Sequence, residues 1–169
     1  MKAKEFNRLF DDGEETTASI QNEEYEARHY FFLNPYKNCA FTRCPKCDAK
    51  TKVRKFPLVI HIEPHQMLLL NKQCKYCLNC DLIIAKESDL EHLLTTGFSR
   101  INPEIIGNNY LVMGTVEKKD WREGNKQQMK PSEIIERMYV FKDILKFELI
   151  PAGRYPASNQ KLQQQFLAN

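Results

Sequence analysis

The chain contains Cys44-Pro45-Lys46-Cys47 and Cys77-Leu78-Asn79-Cys80, two CxxC pairs separated by 29 residues. Each pair can place two thiolates on one tight turn, and two such turns facing each other supply the four ligands of a tetrahedral metal site. No other pattern in the 169 residues has comparable chemical specificity. The fold of the middle of the chain is therefore predicted to bring residues 44–47 next to residues 77–80.

Six cysteines compete for four ligand positions, because Cys74 also forms a CxxC pair with Cys77. The residue after the second cysteine of such a turn adopts a positive φ, which Asp81 tolerates far better than Leu78. We therefore favour Cys80, with Cys74 as the alternative ligand. The predicted ligands are Cys44, Cys47, Cys77 and Cys80, while Cys39 and Cys74 are expected to be small core residues.

One structural zinc ion is the expected cofactor, because four thiolates with no open position suit a closed zinc site. Iron in a rubredoxin-like centre also uses two CxxC turns and is the minor alternative, although the chain lacks the dense aromatic core of such carriers. A dithiol redox motif would place the cysteines at a helix N-terminus, whereas residues 51–54 predict a strand. A closed site leaves no position for a substrate, so the metal is predicted to stabilise the fold.

The segment around the cysteines has the order turn, strand, reversal, strand, turn, strand. Residues 52–62 are β-rich, and Pro57 predicts an edge position or a bulge. Residues 67–73 return towards the second cysteine turn, and residues 82–85 predict a third strand. Over residues 41–86 this layout resembles the zinc-ribbon family.

The resemblance implies a three-stranded ribbon built around one zinc ion. Zinc ribbons in transcription, translation and modification systems often contact nucleic acid or proteins of nucleic-acid machines. The family usually has glycine after the second cysteine of each turn, whereas this chain has Asp48 and Asp81. The resemblance covers about a quarter of the chain, and the remainder resembles no family.

The whole sequence predicts an α+β protein, with the zinc ribbon joined to a small mixed α/β C-terminal portion. Residues 28–33 predict a strand, Ser88 to Gly97 a helix, residues 110–116 a strand, residues 134–145 a second helix and residues 147–150 a short strand. The predicted organisation is an acidic, partly disordered tail (1–24), a β-rich segment with the ribbon (25–86), an α+β portion (87–151) and a flexible C-terminal tail (152–169).

Positive charge is concentrated near the cysteines. Residues 1–24 have a net charge of −4 within a total of +3, and residues 43–75 carry eight basic and two acidic side chains. Zinc with four thiolates adds −2, so the segment keeps a positive charge that would attract a phosphate backbone. The predicted nucleic-acid contacts are Arg43, Lys46, Lys52, Arg54, Lys55, Lys72 and Lys75, with Phe56 and Tyr76 as stacking surfaces. The alternative is that these lysines balance the thiolates and keep an edge strand from aggregating.

Three functions are compatible with the sequence. The first is a non-enzymatic zinc-binding adaptor that presents its basic surface to nucleic acid or to a nucleic-acid-associated protein. The second is a protein-assembly subunit that docks through Trp121 and the predicted helix of residues 134–145. The third is an enzyme with an unrecognised site in the C-terminal half.

No catalytic residue is predicted, because the sequence has no phosphate-binding glycine loop, serine-nucleophile motif or paired-carboxylate signature. His61 and His65 are expected to be solvated at a hairpin tip, since Pro64 prevents the helix on which they could share a metal. The charged N-terminus lacks the apolar stretch of a signal peptide, and no window reaches the roughly 20 apolar residues of a membrane span. A cytoplasmic protein is expected.

Overall fold

A computed structural model describes residues 25–149, and the predicted tails at 1–24 and 152–169 lie outside them. The described strands are β1 (Tyr30–Asn34), β2 (Lys52–Ile62), β3 (Gln66–Cys77), β4 (Leu82–Lys86), β5 (Tyr110–Thr115), β6 (Tyr139–Val140) and β7 (Asp143–Leu145). The described helices are α1 (Glu87–Ile101), α2 (Lys118–Lys126) and α3 (Pro131–Arg137), with a 3-10 turn at Pro103–Ile105. The predicted α+β class is confirmed.

The seven strands are hydrogen-bonded in the order β6-β5-β2-β3-β4-β1-β7. The three strands predicted for the ribbon, β2, β3 and β4, are consecutive neighbours in this larger sheet, so a three-stranded zinc-ribbon hairpin is not confirmed. The predicted edge position of Pro57 is wrong, because β2 lies between β5 and β3. The Pro57 carbonyl accepts the Val116 amide at 3.1 Å, but Pro57 has no N–H to return that bond, and the ladder with β5 begins at Leu58. The register of this ladder shifts between Val59 and Ile60, two residues from the position at which a bulge is the predicted alternative.

The described chain forms two compact units, and strands β2 and β3 contribute residues to both. Unit 1 contains residues 25–28, 56–71 and 107–142, and unit 2 contains residues 29–55, 72–106 and 143–149. The predicted division between residues 86 and 87 stays a prediction.

Unit 1 has β5 paired antiparallel with β2 and with β6. Its core consists of buried apolar side chains from strands and helices: Val59, Met67, Met113, Val116, Ile134, Met138 and Val140. The predicted helix over residues 134–145 is wrong beyond Arg137, because the β-forming pair Tyr139 and Val140 joins the edge of β5. Trp121 lies in α2 instead of a charged turn and is partly buried against this core.

Unit 2 has β1 paired in parallel with both β4 and β7. Its core includes two of the predicted metal ligands: Phe32, Phe41, Cys44, Cys77, Leu82 and Ile84. Helix α1 continues past Gly97, where its predicted end is wrong, because one glycine costs a helix only about 1 kcal/mol. The predicted strand at residues 147–150 is also wrong over 147–149, and the last strand is β7.

Candidate metal centre

The four predicted ligand cysteines converge in unit 2. The Sγ atoms of Cys44, Cys47, Cys77 and Cys80 all lie within 4.8 Å of one another, and those of Cys47 and Cys77 are 3.5 Å apart. In a tetrahedral site with Zn–S bonds of about 2.3 Å, the sulfur atoms are about 3.8 Å apart. The arrangement therefore fits one tetrahedral metal ion with four thiolate ligands.

The first cysteine turn is closed by short backbone hydrogen bonds. The amide of Asp48 donates to the carbonyl of Cys44, and the amide of Cys44 donates to the carbonyl of Ala49, each at 2.8 Å. The Lys46 amide points at Cys44 Sγ, 3.3 Å away, which favours a thiolate there. Asp48 has a φ of 62°, as predicted for the residue after the second cysteine.

The second turn ends at Asp81, whose φ of 53° confirms the same prediction. Unlike Asp48, Asp81 also uses its carboxylate: Oδ1 accepts a hydrogen bond from the Tyr76 hydroxyl and lies beside His29 Nδ1, both at 2.5 Å. Its carbonyl accepts the Tyr30 amide at 2.8 Å. Asp81 therefore connects the cysteine turn to β3 and to the start of β1.

His29 is not among the residues predicted for this site. His29 and Asp81 are 52 positions apart, and no spacing rule relates a single histidine to a distant aspartate. His29 also has a positive φ of 66°, but its type gives only a weak preference for that conformation. Only the parallel pairing of β1 with β4 brings the two residues together.

The protonation of the cysteines follows their surroundings. Burial raises the pKa of Cys44, and it raises the pKa of Cys80 to about 11, where the hydrogen bond with Cys47 adds to the effect. Burial also opposes ionisation of Cys47, but the Ala49 amide and the neighbouring sulfurs outweigh it and lower the pKa of Cys47. A divalent ion must displace the remaining protons, so its binding releases protons.

The remaining two cysteines lie outside this group. Cys74 is buried on β3, its Sγ lies 3.4 Å from the Lys72 carbonyl, and burial raises the pKa of its thiol to about 12. Cys39 is partly buried against the core of unit 2. Within residues 25–149 the cluster thus contains Cys80, as predicted, and leaves out Cys74.

The seven predicted nucleic-acid contacts occupy three environments. Lys52, Arg54 and Lys55 are exposed at the start of β2, in the basic strand segment of residues 52–55. Around the first turn, the exposed Arg43 donates to the Asp48 carbonyl and Lys46 is partly buried. On β3, Lys75 is partly buried and Lys72 is only 7% exposed.

Aromatic rings lie under two of these cations. Arg54 is 5.0 Å from the centre of the Tyr76 ring, and Lys46 is 4.6 Å from that of Tyr30. The prediction that Phe56 and Tyr76 offer stacking surfaces is wrong, because both side chains are buried. The Tyr76 ring instead supports the guanidinium of Arg54.

The two histidines of the β2–β3 reversal differ. His65 is exposed as predicted, but His61 is buried and its solvated position was predicted wrongly. Burial lowers the pKa of His61. The metal-binding group found within residues 25–149 contains only cysteines.

Comparison with known proteins finds no matching family model, no similar curated protein and no similar solved structure. Within residues 25–149, no helix is both long and apolar enough to cross a bilayer. The function is therefore argued from the site itself.

Proposed function

We propose that this chain is a zinc-stabilised binding protein whose basic strand segment contacts the phosphate backbone of nucleic acid. The convergence of the four Sγ atoms within 4.8 Å carries the metal part of the proposal. Zinc is favoured because four cysteine thiolates in a tetrahedral arrangement are its usual structural ligand set. The zinc contributes folding free energy and holds β3 and β4 at the second cysteine turn.

The basic strand segment supports the second part. Its three cations are exposed, and β-strand alternation points Lys52 and Arg54 to one face and Lys55 to the other. Contact of Arg54 with the Tyr76 ring limits the freedom of a long side chain before any partner binds. Such cations attract phosphate without reading base sequence, so we expect affinity without strong sequence preference.

Metal analysis with native mass spectrometry tests the zinc site. We expect one zinc per chain and no visible absorption, whereas iron bound by four thiolates would colour the protein. Cys44→Ser and Cys80→Ser should lose the metal. Cys74→Ser is the matched control and should retain it, since Cys74 lies outside the cluster. Loss of zinc from Cys74→Ser with retention in Cys80→Ser would contradict the ligand set.

Fluorescence anisotropy with a labelled single-stranded oligonucleotide tests the basic strand segment. Reversing two charges with Arg54→Glu and Lys55→Glu should weaken binding about tenfold or more, and affinity should fall steeply with added salt. The double variant Lys118→Glu and Lys119→Glu changes the net charge equally at two exposed positions on α2. Equal losses in both double variants, or binding insensitive to salt, would refute a localised backbone contact.

Two observations count against the docking surface predicted for the assembly alternative. Trp121 is partly buried against the core of unit 1, and the helix expected over residues 134–145 ends at Arg137. No observation on the described residues favours that function over the proposed one.

A further inference from the structure

A pocket of about 410 Å³ lies within unit 2, separate from the cysteine cluster. Its lining comes from residues 72–75 of β3, from β4, from the start of β2, from the first turn of α1, and from Asn34 at the end of β1 with Ala40 after it. This volume falls within the range of about 300–1,000 Å³ typical of small-molecule sites. The pocket is therefore large enough to hold a small-molecule ligand rather than a single ion.

Three lysines line this pocket, Lys72, Lys75 and Lys86, against one carboxylate, Asp89. Lys72 is 7% exposed, and its ammonium donates to the Gln73 carbonyl at 2.7 Å. A carbonyl satisfies one of three ammonium donors and supplies no countercharge. Buried charges are normally paired with an opposite charge, and within residues 25–149 no carboxylate lies within ion-pair distance of Lys72. An anionic ligand would supply that partner.

The start of α1 adds polarity of the same sign. Lys86 is its N-cap residue and makes no side-chain capping hydrogen bond, so the first amide donors of the helix have no capping partner from that side chain. The positive end of the helix dipole adds to the lysine charges, although Glu87 and Asp89 in the first turn reduce its effect. The lysines and the pocket are the main evidence for an anion site, and the helix end is consistent with it.

The remaining lining narrows the class of anion. Asp89 offers a carboxylate that can accept a hydrogen bond from a hydroxyl group, and Val53 and Ile84 offer apolar surface. A ligand that combines a phosphate, a hydroxyl-bearing sugar and a flat apolar group matches all three features. We propose that this pocket binds the phosphomonoester of a nucleotide, either free or at the 5′ end of a strand.

Binding of a phosphate at the 5′ end of a nucleic-acid strand would extend the proposed function and rests on it. Binding of a free nucleotide does not depend on the proposed function. Isothermal titration calorimetry on the zinc-loaded full chain compares a 5′-phosphorylated oligonucleotide with the same oligonucleotide bearing a 5′-hydroxyl. It also compares a nucleoside 5′-monophosphate with its nucleoside. We expect the phosphorylated member of at least one pair to bind about tenfold tighter or more, as charge-assisted hydrogen bonds to phosphate provide.

Substitutions of the pocket lysines test whether the preference for the phosphorylated ligand arises in the pocket. Lys72→Met and Lys75→Gln should each reduce it to near unity, and the partly exposed Lys75 provides a change with little risk to folding. Lys118→Gln is the matched control, because it removes an exposed charge on α2 that belongs neither to the pocket nor to the basic strand segment, and it should leave the preference intact. Preference only between the oligonucleotides identifies a strand end, and preference in both pairs identifies the nucleotide itself.

No preference in either pair, or a preference that survives both pocket variants, overturns the proposal. The experiment separates failure of the pocket proposal from failure of the proposed function. Salt-dependent binding of the 5′-hydroxyl oligonucleotide reports the basic strand segment alone, whereas the phosphate preference reports the pocket alone.

Discussion

The two aspartates that follow the cysteine turns share a backbone conformation, but their side chains make different contacts. Both have a positive φ, which costs an L-residue roughly 1–2 kcal/mol unless its short polar side chain compensates. Asp48 is 59% exposed at its side chain and lies 3.9 Å from Arg43, a surface pair worth little. Asp81 instead uses its carboxylate to contact Tyr76 and His29.

Glycine substitution should separate these roles. Asp48→Gly should change the free energy of unfolding by less than about 0.5 kcal/mol, because relief of strain offsets the added chain entropy. Asp81→Gly should destabilise by about 1–2 kcal/mol, because the contacts of its carboxylate are lost. Urea denaturation with excess zinc measures both. Equal effects would show that the carboxylate of Asp81 contributes nothing to stability.

The positive φ at these residues could be predicted because it is a local requirement of the cysteine turn. The choice of Cys80 over Cys74 followed from it, since Leu78 would otherwise occupy that conformation. The contact between His29 and Asp81 could not be predicted, because it depends on the register of β1 against β4 and on no short-range pattern.

Element ends were predicted less well than element types. The chain from Pro131 has helical apolar spacing through Leu145, yet α3 ends at Arg137 because Tyr139 and Val140 gain backbone partners on β5. Sheet pairing supplies hydrogen bonds and cross-strand contacts, and these cannot be predicted from the spacing of apolar residues along the chain. The helix end predicted at Gly97 is wrong for a different reason, because one glycine inside a helix costs only about 1 kcal/mol and does not by itself end the helix.

Substitutions at two glycines test the close β5–β6 pairing and the continuity of α1. At Gly114 on β5, an added Cβ would overlap the backbone carbonyl of Tyr139 on β6, whereas at Gly97 on α1 it would meet no atom within 4 Å. Gly114→Ala should therefore destabilise by about 1–3 kcal/mol. Gly97→Ala, the matched control, should stabilise by about 0.5–1 kcal/mol. Thermal unfolding monitored by circular dichroism measures both, and a neutral Gly114→Ala would contradict the close β5–β6 approach.

At the scale of the whole molecule, the four clustered cysteines belong to one unit only. Cys44 and Cys77 are part of the buried core of unit 2, whereas the core of unit 1 is built from aliphatic and methionine side chains without any cysteine. The cysteine pattern predicted the site but not this separation, because the two units draw on alternating segments of the chain. Contacts between segments far apart in sequence decide which residues share a core.

Metal removal should therefore act unevenly across the chain. A structural zinc contributes folding free energy through its ligands, and its loss leaves buried thiols in the core of unit 2. Hydrogen exchange measured by mass spectrometry, with and without a chelator, should show loss of amide protection in β1 and β4. Protection in β5 should change far less, because the core of unit 1 contains none of the four clustered cysteines.

Cysteine substitutions repeat this test without a chelator. Cys44→Ser without chelator should reproduce the same uneven pattern, whereas Cys74→Ser with zinc should protect β1 and β4 as the unaltered chain does. Cys74 has a similarly buried thiol, so it controls for the loss of a core sulfur as such. Equal loss of protection in β4 and β5 would show that the metal stabilises the chain as one cooperative body, because unfolding would then pass through the cores of both units together.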